Sequence, residues 1–295
     1  DKRNDIINVK DKVIEFETGN VLIGSVSRLY MSNKCLLIAD HKSVDKQIHI
    51  FNKNDFSYLT SIGNFGEGPE EITVMGCLAI DEAHHQLYVS DHAKQKIFSY
   101  DMDSVMVDSL YKPQVKTAMN ETLFPSEYQY INDTLSIAVL IKPTSTSTFN
   151  QFLGRWNMNT GEMIPMKYTH PDIQKKRITF AASEKAGIYV ECYTRHDLMT
   201  ICSLDGELLY NIYGPDWDGG NGNKLQSFGT VMIGNDKIFV SYCGEDYARD
   251  SFPTKILVFD LEGNYLKTLE TGYKISDCCY DSFNNRIILS FPIIT

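Results

Sequence analysis

The sequence lacks any long hydrophobic run and any recognisable leader. No apolar segment of the 295-residue chain reaches the roughly 18 residues that a membrane-spanning helix needs. The first twelve residues, DKRNDIINVKDK, are polar and begin without a methionine. We therefore expect a trimmed chain, from which any secretion signal or lipid-attachment segment has been removed.

Basic residues are scarce relative to acidic ones. The chain has 28 Lys and Arg against 38 Asp and Glu, which gives a formal net charge of −10. A nucleic-acid-binding protein needs clustered cations to displace the counterions of phosphate groups, and an anionic membrane surface attracts the same clusters. Both classes of partner are therefore disfavoured, and the acidic balance predicts an ordinary solvated surface.

Cysteines are few and carry no metal-binding or redox spacing. There are seven, which cannot all pair within one chain, and no C-x-x-C motif occurs. Most lie inside apolar, strand-like runs, so buried free thiols that behave as small hydrophobic side chains are the favoured interpretation. One or two disulfides remain open as an alternative.

Recognisable catalytic motifs are also missing. No G-x-S-x-G elbow is present, and the glycine-rich segment GNFGEGPEE is not followed by the Lys-Ser/Thr that would grip a phosphate. The run Asp216–Asn223 (DWDGGNGN) has some likeness to a calcium loop but lacks the required residues at positions five, six and twelve. This absence favours a protein that is not an enzyme.

What the sequence does contain is a repeat of about fifty residues. Asp40 and Asp91 close two similar apolar strands, CLLIAD and QLYVSD, and Glu191, Ser241 and Ser290 hold corresponding places further along. Each copy continues through a second apolar strand to a turn such as Asp-Gly or Asn-Thr-Gly, which favours a tight hairpin. Several short strands per unit at this period are typical of a propeller blade.

The repeat predicts an all-β, six-bladed β-propeller that forms a single domain, 1–295. The last copy is short, and an extra strand (Val13–Glu17) precedes the first one, so we expect N-terminal residues to close the ring by joining the last blade. The predicted blades lie near 21–63, 74–111, 126–169, 178–214, 228–272, and 275–295 plus 6–18.

Residues Ser61–Asp103 resemble an NHL-type repeat. The resemblance rests on a glycine-rich link (Gly63, Gly66, Gly68 and Pro69), on Ala79–Asp81, and on Leu87–Asp91 (LYVSD). The whole chain resembles the TolB-like six-bladed propellers, which are abundant as envelope proteins of Gram-negative gut bacteria. The resemblance implies export to the periplasm or outer membrane, with a lipid anchor as one mode of attachment, and implies no particular activity.

In a propeller, the loops after the second strand of each blade and the links between blades gather at one face. The candidate ligand-binding residues in these positions are His41, His92, Arg195, His196, Trp217, Glu245 and Arg249. We expect a binding module, monomeric in solution, whose partner at this face is a protein or a small molecule.

A metal-dependent lyase or hydrolase is the alternative. His41, His92 and His196 follow the second strand of blades one, two and four, and three imidazoles could hold a divalent metal with a position open to water or substrate. Arg195 or Glu245 would then act on the substrate. The competing interpretation is that Asp40-His41 and Asp91-His92 are repeated hydrogen-bonding turns without a metal, which leaves the cofactor open and the catalytic residues unknown.

Overall fold

The computed structural model describes residues 3–19, 21–24, 27–222 and 224–292. Within them, nearly all regular structure is β-strand, arranged in six sheets that follow one another along the chain. Their positions agree with the six predicted repeats. Residue packing divides the chain into two compact units, which we call the central unit (Phe16–Pro165) and the terminal unit (Asp1–Glu15 with Met166–Thr295).

The first strand of the chain is β1 (Ile6–Asn8), and a short 3-10 turn follows at Lys10–Lys12. The central unit then contains three four-stranded antiparallel sheets, in which each strand pairs with the next along the chain. The first sheet consists of β2 (Ser27–Met31), β3 (Cys35–Asp40), β4 (Lys46–Asn52) and β5 (Tyr58–Asn64). The second consists of β6 (Met75–Asp81), β7 (Gln86–Asp91), β8 (Lys96–Asp101) and β9 (Gln114–Ala118). The third consists of β10 (Phe124–Asn132), β11 (Leu135–Pro143), β12 (Phe149–Trp156) and β13 (Met163–Pro165).

The terminal unit contains the other three sheets. The fourth sheet consists of β14 (Ile178–Ser183), β15 (Ile188–Tyr193), β16 (Leu198–Ser203) and β17 (Leu208–Tyr213). The fifth consists of β18 (Leu225–Ile233), β19 (Lys237–Asp246), β20 (Lys255–Asp260) and β21 (Tyr265–Glu270), with a 3-10 turn at Tyr247–Arg249. The sixth consists of β22 (Asp277–Asp281) and β23 (Arg286–Ser290).

The second strand of most sheets is buried on both faces. Every residue of β3 and of β15 is buried, which explains why these strands read as continuous apolar runs rather than as alternating ones. The fourth strand β17 is mostly exposed by comparison. The core of each unit is therefore built largely from the second strands of its sheets. The polar side chains of the connecting segments lie at the ends of the sheets.

Aspartates at the ends of β3 and β7 hold the chain that leads into the first and second sheets. Asp40 Oδ2 accepts a hydrogen bond from the backbone N–H of Gly24 at 2.8 Å, and Asp91 Oδ2 accepts one from Thr73 at 2.8 Å. Each carboxylate also accepts backbone N–H groups from its own turn, such as that of Lys42. The repeated aspartates are thus hydrogen-bonding turn residues, as one of the two interpretations of the repeat predicted.

A strand is present near the N-terminus, but it is Ile6–Asn8 and not the predicted Val13–Glu17, and the prediction that it joins the last blade is wrong. β1 pairs in parallel with β21 of the fifth sheet, with Ile6 opposite Thr268, and residues 13–17 form no strand. The backbone explains the choice, because Thr268 donates its N–H to Asp5 and Val9 donates its N–H to Glu270. β1 therefore satisfies the outer edge of β21, an edge that would otherwise carry unpaired backbone groups.

One short helix occurs where a hairpin turn was expected. Helix α1 (Met102–Val107) begins after Asp101, whose side chain accepts the backbone N–H of Ser104 at 2.8 Å. Aspartate at this position stabilises a helix start. No helix in the described part of the chain is long and apolar enough to cross a membrane.

All seven cysteines are buried and unbonded, as the free-thiol interpretation predicted. Burial raises the pKa of the Cys77 and Cys202 thiols to about 11. The thiols are therefore protonated at neutral pH and pack as small apolar side chains.

Candidate functional site

A cavity of about 550 Å³ opens at the ends of the fourth and fifth sheets, within the terminal unit. Three segments form it: the chain leading into β14, the turn between β15 and β16, and the link between β17 and β18. Its lining consists of charged side chains, amides and glycines: Asp172, Gln174, Lys175, Arg177, Arg195, His196, Gly219, Gly220, Asn221 and Gly222.

Two cations come from the run Lys175-Lys176-Arg177. Lys176 turns inward, where its Nζ lies 2.7 Å from Glu191 Oε1 in a pair that is almost wholly buried. Lys175 and Arg177 turn outward into the cavity, and neither forms an ion pair with any residue that the structure describes. The buried pair therefore anchors a strip that presents two cations without carboxylate partners.

A third cation, Arg195, is held by an aromatic ring. Its guanidinium carbon lies 3.7 Å from the centre of the Tyr247 ring, a cation–π contact at short range. Tyr247 is placed by its own backbone N–H, which donates to the carbonyl of Lys224. Stacking fixes the plane of the guanidinium, so that less rotamer freedom is lost when its N–H groups bind a ligand.

His196 lies in the cavity wall and is only 6% exposed. Its Nδ1 has no hydrogen-bond partner among the residues that the structure describes, and the carboxylate oxygen Asp218 Oδ1 is 3.8 Å away. Burial lowers the pKa of His196 below its ordinary value of 6.5, against the opposing effect of Asp218. The imidazole is therefore neutral at pH 7, and its Nδ1 could form a hydrogen bond with a ligand.

The glycine-rich link closes over His196 because no side chain stands in the way. A Cβ on Gly222 would lie 2.3 Å from His196 Cε1, and one on Gly220 would lie 2.5 Å from the carbonyl oxygen of Asp172. Both glycines have positive φ, of 61° and 95°. The Asp218 carboxylate holds the turn by accepting the backbone N–H groups of Gly220 and Gly222. Residues 216–222 of the segment that has some likeness to a calcium loop thus form a tight link that is one wall of the cavity, and residue 223 lies outside the described residues.

An aromatic cluster supports the cavity from behind. The Trp217 ring lies 5.9 Å from that of His196 and 5.0 Å from that of Tyr213. His170 completes the cluster, because its Nδ1 accepts the backbone N–H of Asp172 and its Nε2 lies 2.8 Å from Tyr213 Oη. Because Nδ1 is the acceptor, the N–H of the ring is at Nε2, which donates a hydrogen bond to the tyrosine hydroxyl. These contacts make the wall of the cavity rigid.

The structure brings five of the seven predicted residues to this end of the terminal unit. Arg195 and His196 line the cavity, and Trp217 packs behind His196. Glu245 and Arg249 flank Tyr247 as an exposed ion pair of 3.3 Å, outside the cavity lining. Glu245 was expected in a loop but belongs to β19, where it lies opposite Gln226.

The other two predicted residues, His41 and His92, lie in the central unit and approach the same glycine. His41 Nε2 donates to the carbonyl of Gly76 at 3.1 Å, and His92 Nε2 would lie 2.2 Å from a Cβ at that position. The Nδ1 atoms of both histidines are buried without a hydrogen-bond partner among the described residues. Their joint role with His196 in holding a metal stays a prediction.

Sequence reasoning missed Lys175, Arg177 and Tyr247. The signal for the first two was present, because Lys175–Arg177 is the only run of three consecutive cations in an acidic chain. The role of Tyr247 depends on a stacking contact between two turns that are far apart in sequence.

Hairpins of the second and third sheets bring together Asp81, His84 and Asp133. Their candidate ligand atoms lie within 4.8 Å of one another. His84 Nδ1 is 2.8 Å from Asp81 Oδ2, which also accepts the Tyr88 hydroxyl at 2.7 Å, and Asp133 accepts the Tyr130 hydroxyl. Asp81 Oδ2 and Asp133 thus already have hydrogen-bond donors, as expected of residues that close hairpins.

The sheets and this geometry can be compared with known proteins. Residues 2–152, half of the chain, match the model of the DUF5128 family, which is described as a 6-bladed beta-propeller. The chain belongs to the DUF5128 family. Its all-β fold is therefore a propeller, and the six consecutive sheets are the blades that the repeat predicted.

Solved structures support the DUF5128 propeller fold at low sequence identity. A candidate exported protein from Bacteroides fragilis NCTC 9343 is 14% identical, with a TM-score of 0.59 over 94% of this chain and 82% of the other. A member of the DUF4221 family from Bacteroides vulgatus is 10% identical, with a TM-score of 0.57 over 83% and 81%.

The beta-propeller domain of Cps50 (Swd1) from Myceliophteria thermophila is also 10% identical, with a TM-score of 0.53 over 88% and 90%. No curated protein sequence matches the chain significantly. At these identities the structural likeness concerns the fold alone.

Proposed function

We propose that this DUF5128 protein is a non-enzymatic binding propeller of the bacterial envelope, and that the cavity of the terminal unit holds a small polar ligand. The observation that carries the proposal is the buried imidazole of His196 in the wall of a cavity of about 550 Å³, because its Nδ1 lacks a hydrogen-bond partner among the described residues. Buried polar atoms are normally hydrogen-bonded, so an unpaired one in a cavity wall indicates a place where a ligand supplies the bond.

The envelope location has separate support. One solved structure of similar fold is that of a candidate exported protein, and the chain resembles the TolB-like and NHL-type propellers in its second repeat. We retain membership of that wider group, export to the periplasm or outer membrane, and lipid anchoring as parts of the proposal. Cell fractionation of the native host, with an antibody against the protein, tests the location.

Binding is tested with a variant that fills the cavity. Gln174 is an exposed lining residue whose side chain makes no hydrogen bond with the residues that the structure describes, so Gln174→Trp occludes the cavity without breaking a contact. Lys185→Trp, in the exposed turn between β14 and β15, is the matched control. A library of polar metabolites is screened by thermal shift against all three proteins.

We expect ligands that stabilise the wild type and Lys185→Trp but not Gln174→Trp, because a ligand that binds only the folded state raises its stability. Each ligand should be recovered unchanged after incubation. If no ligand in the library behaves in this way, the proposal that the cavity binds a small polar ligand is refuted. If a ligand is converted to a product, the protein is an enzyme and not a binding module.

The metal-dependent alternative has one observation in its favour. Both His41 and His92 have a buried Nδ1 without a hydrogen-bond partner among the described residues. Neutral imidazole is a common metal ligand, so these nitrogen atoms could bind an ion. Elemental mass spectrometry of protein purified without an affinity tag or chelator tests it. About one divalent ion per chain, lost in His41→Ala, His92→Ala and His196→Ala, would support a three-histidine centre, whereas binding that is unchanged in His92→Ala would exclude it.

A further inference from the structure

The cavity has a charge opposite to that of the protein. The chain carries a net charge of −10, yet Lys175, Arg177 and Arg195 all face the cavity, and Asp172 is the single carboxylate among the described lining residues. Cations of a solvated surface are usually interspersed with carboxylates, which makes a local excess informative in an acidic chain.

Contacts also hold Arg195 and the backbone that carries the other two cations. Lys175 and Arg177 flank Lys176, whose ion pair with the buried Glu191 fixes the backbone between them. Arg195 is held by its stack on Tyr247 at 3.7 Å. Because the Arg195 guanidinium and the backbone around Lys176 are placed before a ligand arrives, less ordering of these parts is needed on binding.

The remaining lining is suited to a hydroxylated or otherwise polar body. Gln174 and Asn221 contribute amides, and Gly219, Gly220 and Gly222 leave their backbone accessible. Apart from the imidazole of His196, no aliphatic or aromatic side chain of the described residues contributes to the lining. A ligand held by such a surface makes hydrogen bonds along its length and has little apolar area to bury.

We infer that the ligand of this cavity is a small polar organic anion, in which a carboxylate, sulfate or phosphate group contacts Lys175, Arg177 and Arg195 and the polar body faces the glycine-rich link. The inference rests on the proposed binding function and specifies its ligand class. Arg195 carries a planar guanidinium whose geometry matches such groups, and charge-assisted hydrogen bonds of this kind are stronger than neutral ones.

The experiment uses probes that differ only in the charged group. Glucose, glucuronate, glucose 6-sulfate and glucose 6-phosphate share one body, so titration calorimetry on the whole chain isolates the contribution of the anion and shows which anionic group is favoured. The variants are Lys175→Gln/Arg177→Gln, which removes two cations from the cavity, and the control Lys237→Gln, which removes a half-buried surface cation from the same unit.

We expect the charged probes to bind at least tenfold more tightly than glucose, because one charge-assisted hydrogen bond alone accounts for about that factor. The double substitution should weaken their binding at least tenfold, Lys237→Gln should not, and raising the salt concentration should weaken binding to the wild type. Thermal melts of both variants within a degree or two of the wild type show that folding is intact.

Charged probes that bind no better than glucose, or binding that is unchanged by the double substitution, would overturn the inference. This failure is distinct from failure of the proposed function. A neutral ligand that is lost on Gln174→Trp would preserve binding in the cavity and refute only the anionic class.

Discussion

Arg3 is expected to be among the most important single residues for the stability of the terminal unit. Its Nη1 lies 2.7 Å from Asp197 Oδ1, and the two side chains are 7% and 0% exposed. The guanidinium also lies 5.4–5.7 Å from the rings of Phe228, Tyr242 and Phe259. An N-terminal cation thus enters the apolar core beside a buried carboxylate.

The size of the effect follows from what Arg3→Ala leaves behind. Removing one partner of a buried ion pair costs about 3–5 kcal/mol, since the other charge stays buried and uncompensated. Asp197 would keep one hydrogen bond, from the backbone N–H of Asp216 at 3.1 Å. We therefore expect a loss at the lower end of that range, about 3 kcal/mol, with a further contribution from the lost cation–π contacts.

The assay is urea unfolding followed by far-UV circular dichroism. Arg249→Ala is the matched control, because Arg249 also pairs with a carboxylate, at 3.3 Å, but in a solvent-exposed setting. Exposed pairs contribute about 0–1 kcal/mol. A double-mutant cycle with Asp197→Ala isolates the pair, and its coupling energy should be well above that of an exposed pair. A loss in Arg3→Ala no greater than that in Arg249→Ala would refute the reasoning.

Three further predictions concern the cavity wall, the histidines and the thiols. Gly222→Ala should abolish binding of any cavity ligand, because the new Cβ would collide with the His196 ring. Gly219→Ala is the control: Gly219 also has positive φ, but a Cβ there would meet no atom within 4 Å, so this variant should be less stable and still bind. The free energy of unfolding, measured by urea titration, should fall as the pH drops from about 7 to 5. Burial lowers the pKa of three histidines below 6.5, so the unfolded chain takes up protons at a higher pH than the folded chain and is favoured. The fall should be smaller when these histidines are replaced by Gln. The three are His49, His92 and His196. The native protein should react slowly with a thiol reagent and the protein in guanidinium should show seven reactive thiols, since every cysteine is buried; a fast native reaction would contradict the packing.

The fold was predictable because its signals are local. Strand period, hairpin turns and the aspartates at Asp40 and Asp91 all act over a few tens of residues, and together they placed six sheets. The partner of β1 was not predictable, because a three-residue exposed strand carries little register information. Pairing with β21 depends on backbone contacts between residues about 260 positions apart, such as that of Asp5 with Thr268.

The site was predictable only in part, for a similar reason. Loop position identified Arg195, His196 and Trp217, since these follow strands whose ends the repeat had fixed. It could not show that Lys176 would turn inward to Glu191, which decides that Lys175 and Arg177 face the cavity. The direction of a side chain in such a connecting segment depends on tertiary contacts like this buried ion pair, which local sequence does not reveal.

The single-domain prediction can be tested with the two tryptophans of the chain, because Trp156 belongs to the central unit and Trp217 to the terminal unit. A six-bladed propeller is one fold, so three blades are half of a fold rather than an independent domain. In Trp156→Phe the fluorescence of Trp217 reports on the terminal unit, and in Trp217→Phe that of Trp156 reports on the central unit. We expect fluorescence and far-UV circular dichroism to give the same urea midpoint within each variant, which is the behaviour of a cooperative unit.

This internal comparison is unaffected by any loss of stability from the substitution itself. Fluorescence that changes in one transition while circular dichroism changes in two would mean that the two units unfold separately, and the chain would then consist of two domains.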